Sequence, residues 1–245
     1  MTRTILLLDL DDTVMLSRRK LAARGTQTVG LPVAAYDSAG EALCFVLEAH
    51  TALLERFSDA EIIPVTGRSQ AAMRRVTLPF TSWRVLDHGA TILSPAGQRE
   101  ADWDDELKLD ATLLDGLDAE LSRRHPAENG YVLSVLERER GRYGLCLKHA
   151  ERDVQATQAA VQTMRGLART HSLRFLDAPG APSLVLPGVG KQGACAWLLA
   201  RIGAGAVVFG AGDARADLGF LSLCDLAVLP RDSDLMRDLQ SDARD

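Results

Sequence analysis

The apolar run Thr4 to Leu8 ends abruptly in Asp9-Leu10-Asp11-Asp12-Thr13, and no other stretch constrains the fold as tightly. It is too short for a helix and lacks the alternation of a half-exposed strand. Such a run reads as a strand buried on both faces, as in the middle of a parallel sheet. Ile62-Ile63-Pro64-Val65, Ala206 to Phe209 and Leu226 to Leu229 repeat the pattern, although Pro64 removes a ladder donor and weakens the strand assignment there. Polar turns close two of them, Thr66-Gly67-Arg68 and Gly210-Ala211-Gly212-Asp213.

Helical spacing fills the intervals. Leu43, Val46, Leu47, His50, Leu54 and Phe57 share one face of a helix expected over Ser38 to Phe57. Ser69 is an N-cap for another helix, and Gln192 to Ile202 and Asp217 to Leu223 read as two more. Val85-Leu86 and Thr91 to Leu93 are strand pieces around Asp87-His88-Gly89-Ala90, followed by a turn at Ser94-Pro95-Ala96-Gly97. The pattern changes in mid-chain. A helix over Asp104 to Arg124 precedes alternating strands at Tyr131 to Leu136 and Tyr143 to Leu147, a helix at Val154 to Leu167, and strands at Leu173 to Leu176 and Leu184 to Leu186. Helix-strand-strand-helix-strand-strand is the order of an α+β sandwich. The expectation is a doubly wound α/β core, residues 1–99 and 187–245, interrupted by an α+β insert at 100–186.

Composition excludes several classes. A formal net charge of -5 gives no general attraction to nucleic acid or anionic membrane. The apolar start, Ile5 to Leu8, is too short for a signal-peptide core, and no later run is long enough to span a bilayer. Cys44, Cys146, Cys195 and Cys224 have no zinc-like spacing, which points to free thiols in a reducing, cytoplasmic setting. The sequence is silent on oligomeric state.

In an open parallel sheet, strand ends converge on one crevice. That convergence would gather Asp9, Asp11, Thr66, Asp213 and Asp217, with Lys191 arriving at a helix start. Taken singly, each has a plainer explanation. Asp9 and Asp11 suit a solvated turn, Thr66 a helix cap, Lys191 a surface, and Asp217 a helix start. Together they imply more. Carboxylates crowded without a cation repel one another, and an oxygen-only ligand set with room for water and phosphate suits Mg²⁺. A lysine and a threonine hydroxyl can then hold phosphoryl oxygens, and a carboxylate nucleophile divides a hard hydrolysis into two steps.

Asp9-Leu10-Asp11-Asp12-Thr13, Thr66 in Val65-Thr66-Gly67-Arg68, Lys191 in Gly190-Lys191-Gln192-Gly193-Ala194, and Gly212-Asp213-Ala214-Arg215-Ala216-Asp217 resemble, in order, the four motifs of the haloacid dehalogenase (HAD) superfamily. The insert between the second and third motifs resembles the α+β cap of the branch containing sucrose-phosphate, trehalose-phosphate and mannosyl-phosphoglycerate phosphatases and Cof-type hydrolases. Asp87-His88-Gly89-Ala90 is similar to a segment common there. The resemblance implies a Rossmann-like core with an inserted cap and Mg²⁺-dependent hydrolysis of a small phosphorylated metabolite, such as a sugar phosphate. It implies Asp9 as nucleophile and metal ligand, and Asp11 as general acid and then base, its carbonyl facing the metal. Thr66, Gly67, Arg68 and Lys191 would lie at the phosphoryl group, with Asp213 and Asp217 as metal ligands. Three residues depart from the pattern: Asp12 where many relatives carry glycine, Gln192 where Lys-Gly is usual, and Ala216 for a frequent asparagine.

A phosphomutase would use the same Asp9 intermediate, and a catalytically idle binding protein would keep the same fold. Metal-free dehalogenation fits poorly with Asp11, Asp213 and Asp217. A phospho-accepting receiver fits poorly with Lys191 preceding Asp213.

Overall fold

A computed structural model describes residues 2–178 and 180–242. The chain divides into two compact units, Met1–Trp103 with Gly190–Asp245, and Asp104–Val189.

In chain order the first unit contributes β1 (Arg3–Leu8), β2 (Leu16–Ser17), α1 (Arg18–Ala23), β3 (Val33–Tyr36), β4 (Ala42–Phe45), α2 (Glu48–Arg56), β5 (Glu61–Pro64), α3 (Gln70–Met73), β6 (Arg84–Leu86), β7 (Thr91–Leu93) and α4 (Ala101–Leu107), the last crossing into the second unit. The second continues with α5 (Leu117–Arg124), β8 (Tyr131–Arg138), β9 (Gly141–His149), α6 (Val154–Thr170), β10 (Arg174–Leu176) and β11 (Ser183–Val185). The chain then re-enters the first unit with α7 (Lys191–Ile202), β12 (Ala206–Ala211), α8 (Leu218–Leu221), β13 (Leu226–Val228) and α9 (Asp234–Asp242).

The parallel sheet of the first unit runs β13-β12-β1-β5. Ile5 to Leu8 are fully buried between two neighbours, which is why β1 needs no polar alternation. Leu8 pairs with Ala211 on one side and with Pro64 on the other, so three chain segments leave the sheet together at that edge. Pro64 is tolerated because Val65 donates to Leu8 O (2.8 Å), which turns the donor-less proline nitrogen away from β1.

Two expected helices differ from the structure. Ser38 to Phe57 is helical only from Glu48. Before that, Asp37 Oδ1 accepts from Ala39 N (2.8 Å) and Glu41 N (2.9 Å), and Gly40 takes φ 85°. This turn folds β3 and β4 into an antiparallel pair, and β4 also pairs with β2. Helix α2 starts where His50 Nδ1 accepts from Leu47 N (3.2 Å).

The helix expected over Asp104 to Arg124 is broken twice. Lys108 takes φ 46° and Gly116 φ 77°, with a short 3-10 turn at Ala111–Leu114 between them, begun by Asp110 Oδ1 accepting from Thr112 N (3.0 Å). Leu107, Leu114, Leu117 and Leu121 are nonetheless all buried, so the apolar spacing is used by separate pieces. The second unit is otherwise an antiparallel sheet, β10-β11-β9-β8, with α6 packed on β9, β10 and β11. Its salt bridge between Arg138 and Asp104 is almost wholly buried.

No helix among the described residues is long and apolar enough to cross a membrane.

Candidate active site

Asp9 is the first residue beyond β1, and its N–H continues the ladder to Ala211 O (2.9 Å). Its side chain is buried and fully engaged. Oδ1 accepts from Lys191 Nζ at 2.6 Å and Oδ2 from Thr13 Oγ1 at 3.0 Å. Thr13 lies within the Asp9 segment but has no role in the sequence reading above. Its hydroxyl fixes the carboxylate plane, and its signal was a threonine four residues beyond the aspartate.

Lys191 opens α7 and bonds Asp217 Oδ1 as well, also at 2.6 Å. Asp217 is 1% exposed, and its second oxygen accepts from the N–H groups of Asp213 (3.1 Å) and Ala214 (3.0 Å). Gly212 permits this curl, since a Cβ there would fall 2.7 Å from Asp217 Cβ. Asp213 is braced from the far end of the chain: Leu235, in α9, donates its N–H to Asp213 O (3.1 Å), and Ser233 Oγ caps that helix through Met236 N (3.0 Å). No sequence motif announces Ser233 or Leu235, because only the tertiary fold brings them here.

One short turn connects the Thr66 segment to the start of α7. Asp87, His88 and Gly89 all have positive φ (53°, 56° and 95°). Asp87 N donates to Arg68 O (2.9 Å) and His88 N to Thr66 O (3.1 Å). On the other side Gly89 presses on α7, where a Cβ would lie 2.3 Å from Gly190 O. Trp103 Nε1 donates to Gly89 O (3.0 Å), and the Trp103 ring packs on Trp197 of α7 with centroids 5.6 Å apart. Non-glycine residues in left-handed backbone are strained, so the turn persists only because both sides hold it.

Electrostatics follow from burial. Burial pushes the Asp9 carboxyl well above its ordinary range; the Lys191 ammonium pulls it back, while Asp217 and Asp213 add to the rise. Asp213 is raised to about 7, first by burial and then by Asp217 and Asp12, against Lys20 and Lys191. For Lys191 burial acts downward, but Asp9 and Asp217 outweigh it and hold the ammonium above its ordinary value. The cluster is thus frustrated as carboxylates and relieved by cations. One oxygen each of Asp9, Asp213 and Asp217 lie within 4.8 Å of one another, and all three residues are buried. An all-oxygen, multiply anionic set of this size fits Mg²⁺.

The remaining residues singled out from sequence lie beside this cluster rather than in it. Asp11 is about half exposed, and both its oxygens are bound by Arg68. Thr66 is buried, and its Oγ1 accepts from Arg68 N (3.2 Å). Gly67 lies flat under the His88 ring, where a Cβ would meet His88 Cε1 at 2.2 Å. Asp11 contributes no side-chain oxygen to the three-aspartate group.

No family sequence profile and no curated protein sequence matches the chain. Solved structures do. Sucrose-phosphatase from Synechocystis sp. PCC6803, solved with sucrose and phosphate, superposes with a TM-score of 0.58 at 13% identity, covering 100% of this chain and 98% of that one. The C-terminal domain of trehalose-6-phosphate phosphatase from C. albicans gives 0.62 at 14% identity, covering 90% and 73%. A haloacid dehalogenase-like hydrolase from Bacteroides thetaiotaomicron gives 0.56 at 13% identity, covering 98% and 99%. At such identities the likeness is one of fold: a Rossmann-like core of the haloacid dehalogenase type with an inserted cap domain.

Proposed function

We propose that this chain, which has the haloacid dehalogenase fold, is a Mg²⁺-dependent phosphomonoester hydrolase that works through an aspartyl-phosphate on Asp9. The observation that carries the reading is the Lys191 ammonium, 2.6 Å from both Asp9 and Asp217, two carboxylates that converge with Asp213. An internal cation and three converging carboxylates form a site built to neutralise an anion and a metal together.

Asp9, Asp213 and Asp217 would hold Mg²⁺. When bound, the ion supplies charge neutralisation for phosphoryl oxygens and for the carboxylates themselves. The remaining steps belong to the chain. Thr13 and Lys191 hold the Asp9 carboxylate for in-line attack. A bond forms from Asp9 oxygen to phosphorus as the bond to the leaving oxygen breaks, and Asp11 gives that oxygen a proton. Water then attacks phosphorus and loses a proton to Asp11, the bond to Asp9 breaks, and inorganic phosphate departs. Lys191 would bind the phosphoryl oxygens through its ammonium and Thr66 through its hydroxyl, with Gly67 and Arg68 beside it.

The substrate class we assign is a small phosphorylated metabolite, a sugar phosphate first. The fold likeness to sucrose-phosphatase and trehalose-6-phosphate phosphatase supports this choice. Four free cysteines are in keeping with a reducing, cytoplasmic setting. The test is phosphate release from a panel of sugar phosphates and an aryl phosphate, with Mg²⁺ and with excess chelator. Mg²⁺-dependent release, lost in Asp9→Asn with the fold retained, is the expected result. Undiminished turnover by Asp9→Asn would remove Asp9 as nucleophile.

A further inference from the structure

All three residues of the Asp87–Gly89 turn stand in left-handed backbone, and only the last is a glycine. A glycine in place of His88, φ 56°, would adopt that conformation at less cost. The backbone therefore does not account for a histidine there. Core filling does not account for it either, since the residue is partly exposed. What the side chain does is cover Gly67. A Cβ on Gly67 would stand 2.2 Å from His88 Cε1 and 2.7 Å from each ring nitrogen, so the ring occupies the place where a Gly67 side chain would begin.

Gly67 is the soft point of its segment. On either side the chain is anchored: Thr66 N donates to Val85 O (2.9 Å), Thr66 O accepts from His88 N (3.1 Å), and Arg68 O accepts from Asp87 N (2.9 Å). Between these anchors stands a residue without a Cβ, which has the widest choice of backbone conformation. The His88 ring fills the space that this residue leaves open. The same turn meets α7 at Gly89, where a Cβ would lie 2.3 Å from Gly190 O and 3.0 Å from Lys191 N. One turn thus touches both the Thr66 segment and the residue that opens α7.

We propose that His88 is a positioning residue: its ring holds Gly67, and with it Thr66, at a fixed separation from Lys191, so that the two groups assigned to the phosphoryl oxygens meet a tetrahedral anion together. His88 acts without touching that anion. Asp9, Asp213 and Asp217 stand on other segments, after β1, after β12 and before α8, and their convergence does not depend on the ring. The inference rests on the reading of Thr66 and Lys191 as phosphoryl-binding residues.

Equilibrium binding of tungstate, a tetrahedral dianion like phosphate, to the full chain in Mg²⁺ tests it without recourse to turnover, with Mg²⁺ titrated separately. His88→Gly removes the ring and eases the backbone, so the fold is expected to persist. It is expected to weaken tungstate about tenfold, because small misplacements of binding groups are costly, and to leave Mg²⁺ within about twofold of wild type. Gly67→Ala, which drives the ring from its place, is expected to weaken tungstate by a similar factor. The double variant puts the new methyl group into the vacated space and is expected to bind tungstate more tightly than either single variant, whereas independent losses would add. Unchanged tungstate affinity in His88→Gly would overturn this inference alone, as would a double variant that binds no more tightly than His88→Gly. Equal losses of tungstate and Mg²⁺ in His88→Gly would overturn it in favour of general loosening. No tungstate binding by the wild-type protein, with Mg²⁺ bound, would instead overturn the phosphoryl site, and this inference with it.

Discussion

Arg68 grips Asp11 through two parallel bonds, Nε to Oδ2 and Nη2 to Oδ1, each 2.7 Å long. The fork is set from behind. The Arg68 N–H donates to Thr66 Oγ1 (3.2 Å), its carbonyl accepts from Asp87 N (2.9 Å), and Nη2 reaches Cys44 Sγ (3.4 Å). A bidentate arginine fixes a carboxylate in plane and direction as a lysine cannot. Each Asp11 oxygen keeps a second lone pair, so the fork orients the carboxyl group without blocking a proton on it.

Arg68→Gln is therefore expected to separate leaving groups. Turnover of an alkyl phosphate, which needs a proton on its leaving oxygen, is expected to fall about tenfold or more. Turnover of p-nitrophenyl phosphate, whose leaving oxygen needs none, is expected to fall less. Steady-state kinetics on both substrates decide. Equal losses accompanied by a raised KM would place Arg68 on the phosphoryl group instead.

Lys191→Met removes the counter-charge from two buried carboxylates while keeping the bulk of the side chain. Breaking a buried pair in this way costs on the order of 3–5 kcal/mol. Thermal unfolding without metal is expected to shift down accordingly, and more at pH 8 than at pH 5, because burial already disfavours ionised Asp9 and the lysine that offset this is gone. Added Mg²⁺ is expected to recover part of the loss. A melting temperature indifferent to pH in this variant would argue against the charge explanation.

The pH dependence of metal binding follows from Asp213. Its folded-state value, about 7, lies above the ordinary 3.8, so the folded metal-free protein holds a proton that the unfolded chain has released. This contribution to stability is complete below about pH 3.8 and fades as pH rises through 7. Mg²⁺ must displace that proton. Its apparent affinity is expected to rise up to about tenfold per pH unit below 7 and to level off above it. Titrations at pH 5.5, 6.5, 7.5 and 8.5 in matched ionic strength would show the break; a flat profile would exclude proton displacement.

Gly89→Ala tests the turn between the Thr66 segment and α7. The added methyl group would enter the 2.3 Å space before Gly190 O, at a residue with φ 95°. A loss of about 2 kcal/mol or more is expected from denaturant unfolding. A control at Gly30, where φ is also positive (80°) but a Cβ would meet nothing within 4 Å, is expected to lose less. Equal losses at the two positions would mean that backbone conformation alone, and not the approach to α7, makes Gly89 necessary.

The central sheet was legible because burial on both faces leaves β1 and β12 with hardly a polar residue, and short apolar runs are hard to place elsewhere. The small sheet of β2, β3 and β4 was not. Its apolar residues also satisfy a helical spacing, and the competing signal, Asp37 and Gly40 closing a turn, is only a few residues long. In the second unit the buried leucines were identifiable, but the break at Lys108 was hidden, since a lysine with φ 46° carries no local mark. The break at Gly116 did carry one. At the site, residues inside ordered motifs could be named from sequence. Lys20, Ser233 and Leu235 could not, because their proximity to Asp12 or Asp213 is made by tertiary structure alone.

The pairing of Leu8 with Ala211 has a further consequence, for the order of events during synthesis. Strand β1 is made well before one of its two flanking strands, β12, and the whole second unit is translated in between. A nascent chain that has just passed Val189 holds every residue of its second unit, while β1 still has an open edge and Asp9 waits for Lys191. Contacts closed over so long a loop form slowly, and an apolar strand left unpaired meanwhile is a target for chaperones or for neighbouring chains. Changes that slow β12 from docking are therefore expected to reduce the amount of folded protein recovered before they alter its chemistry.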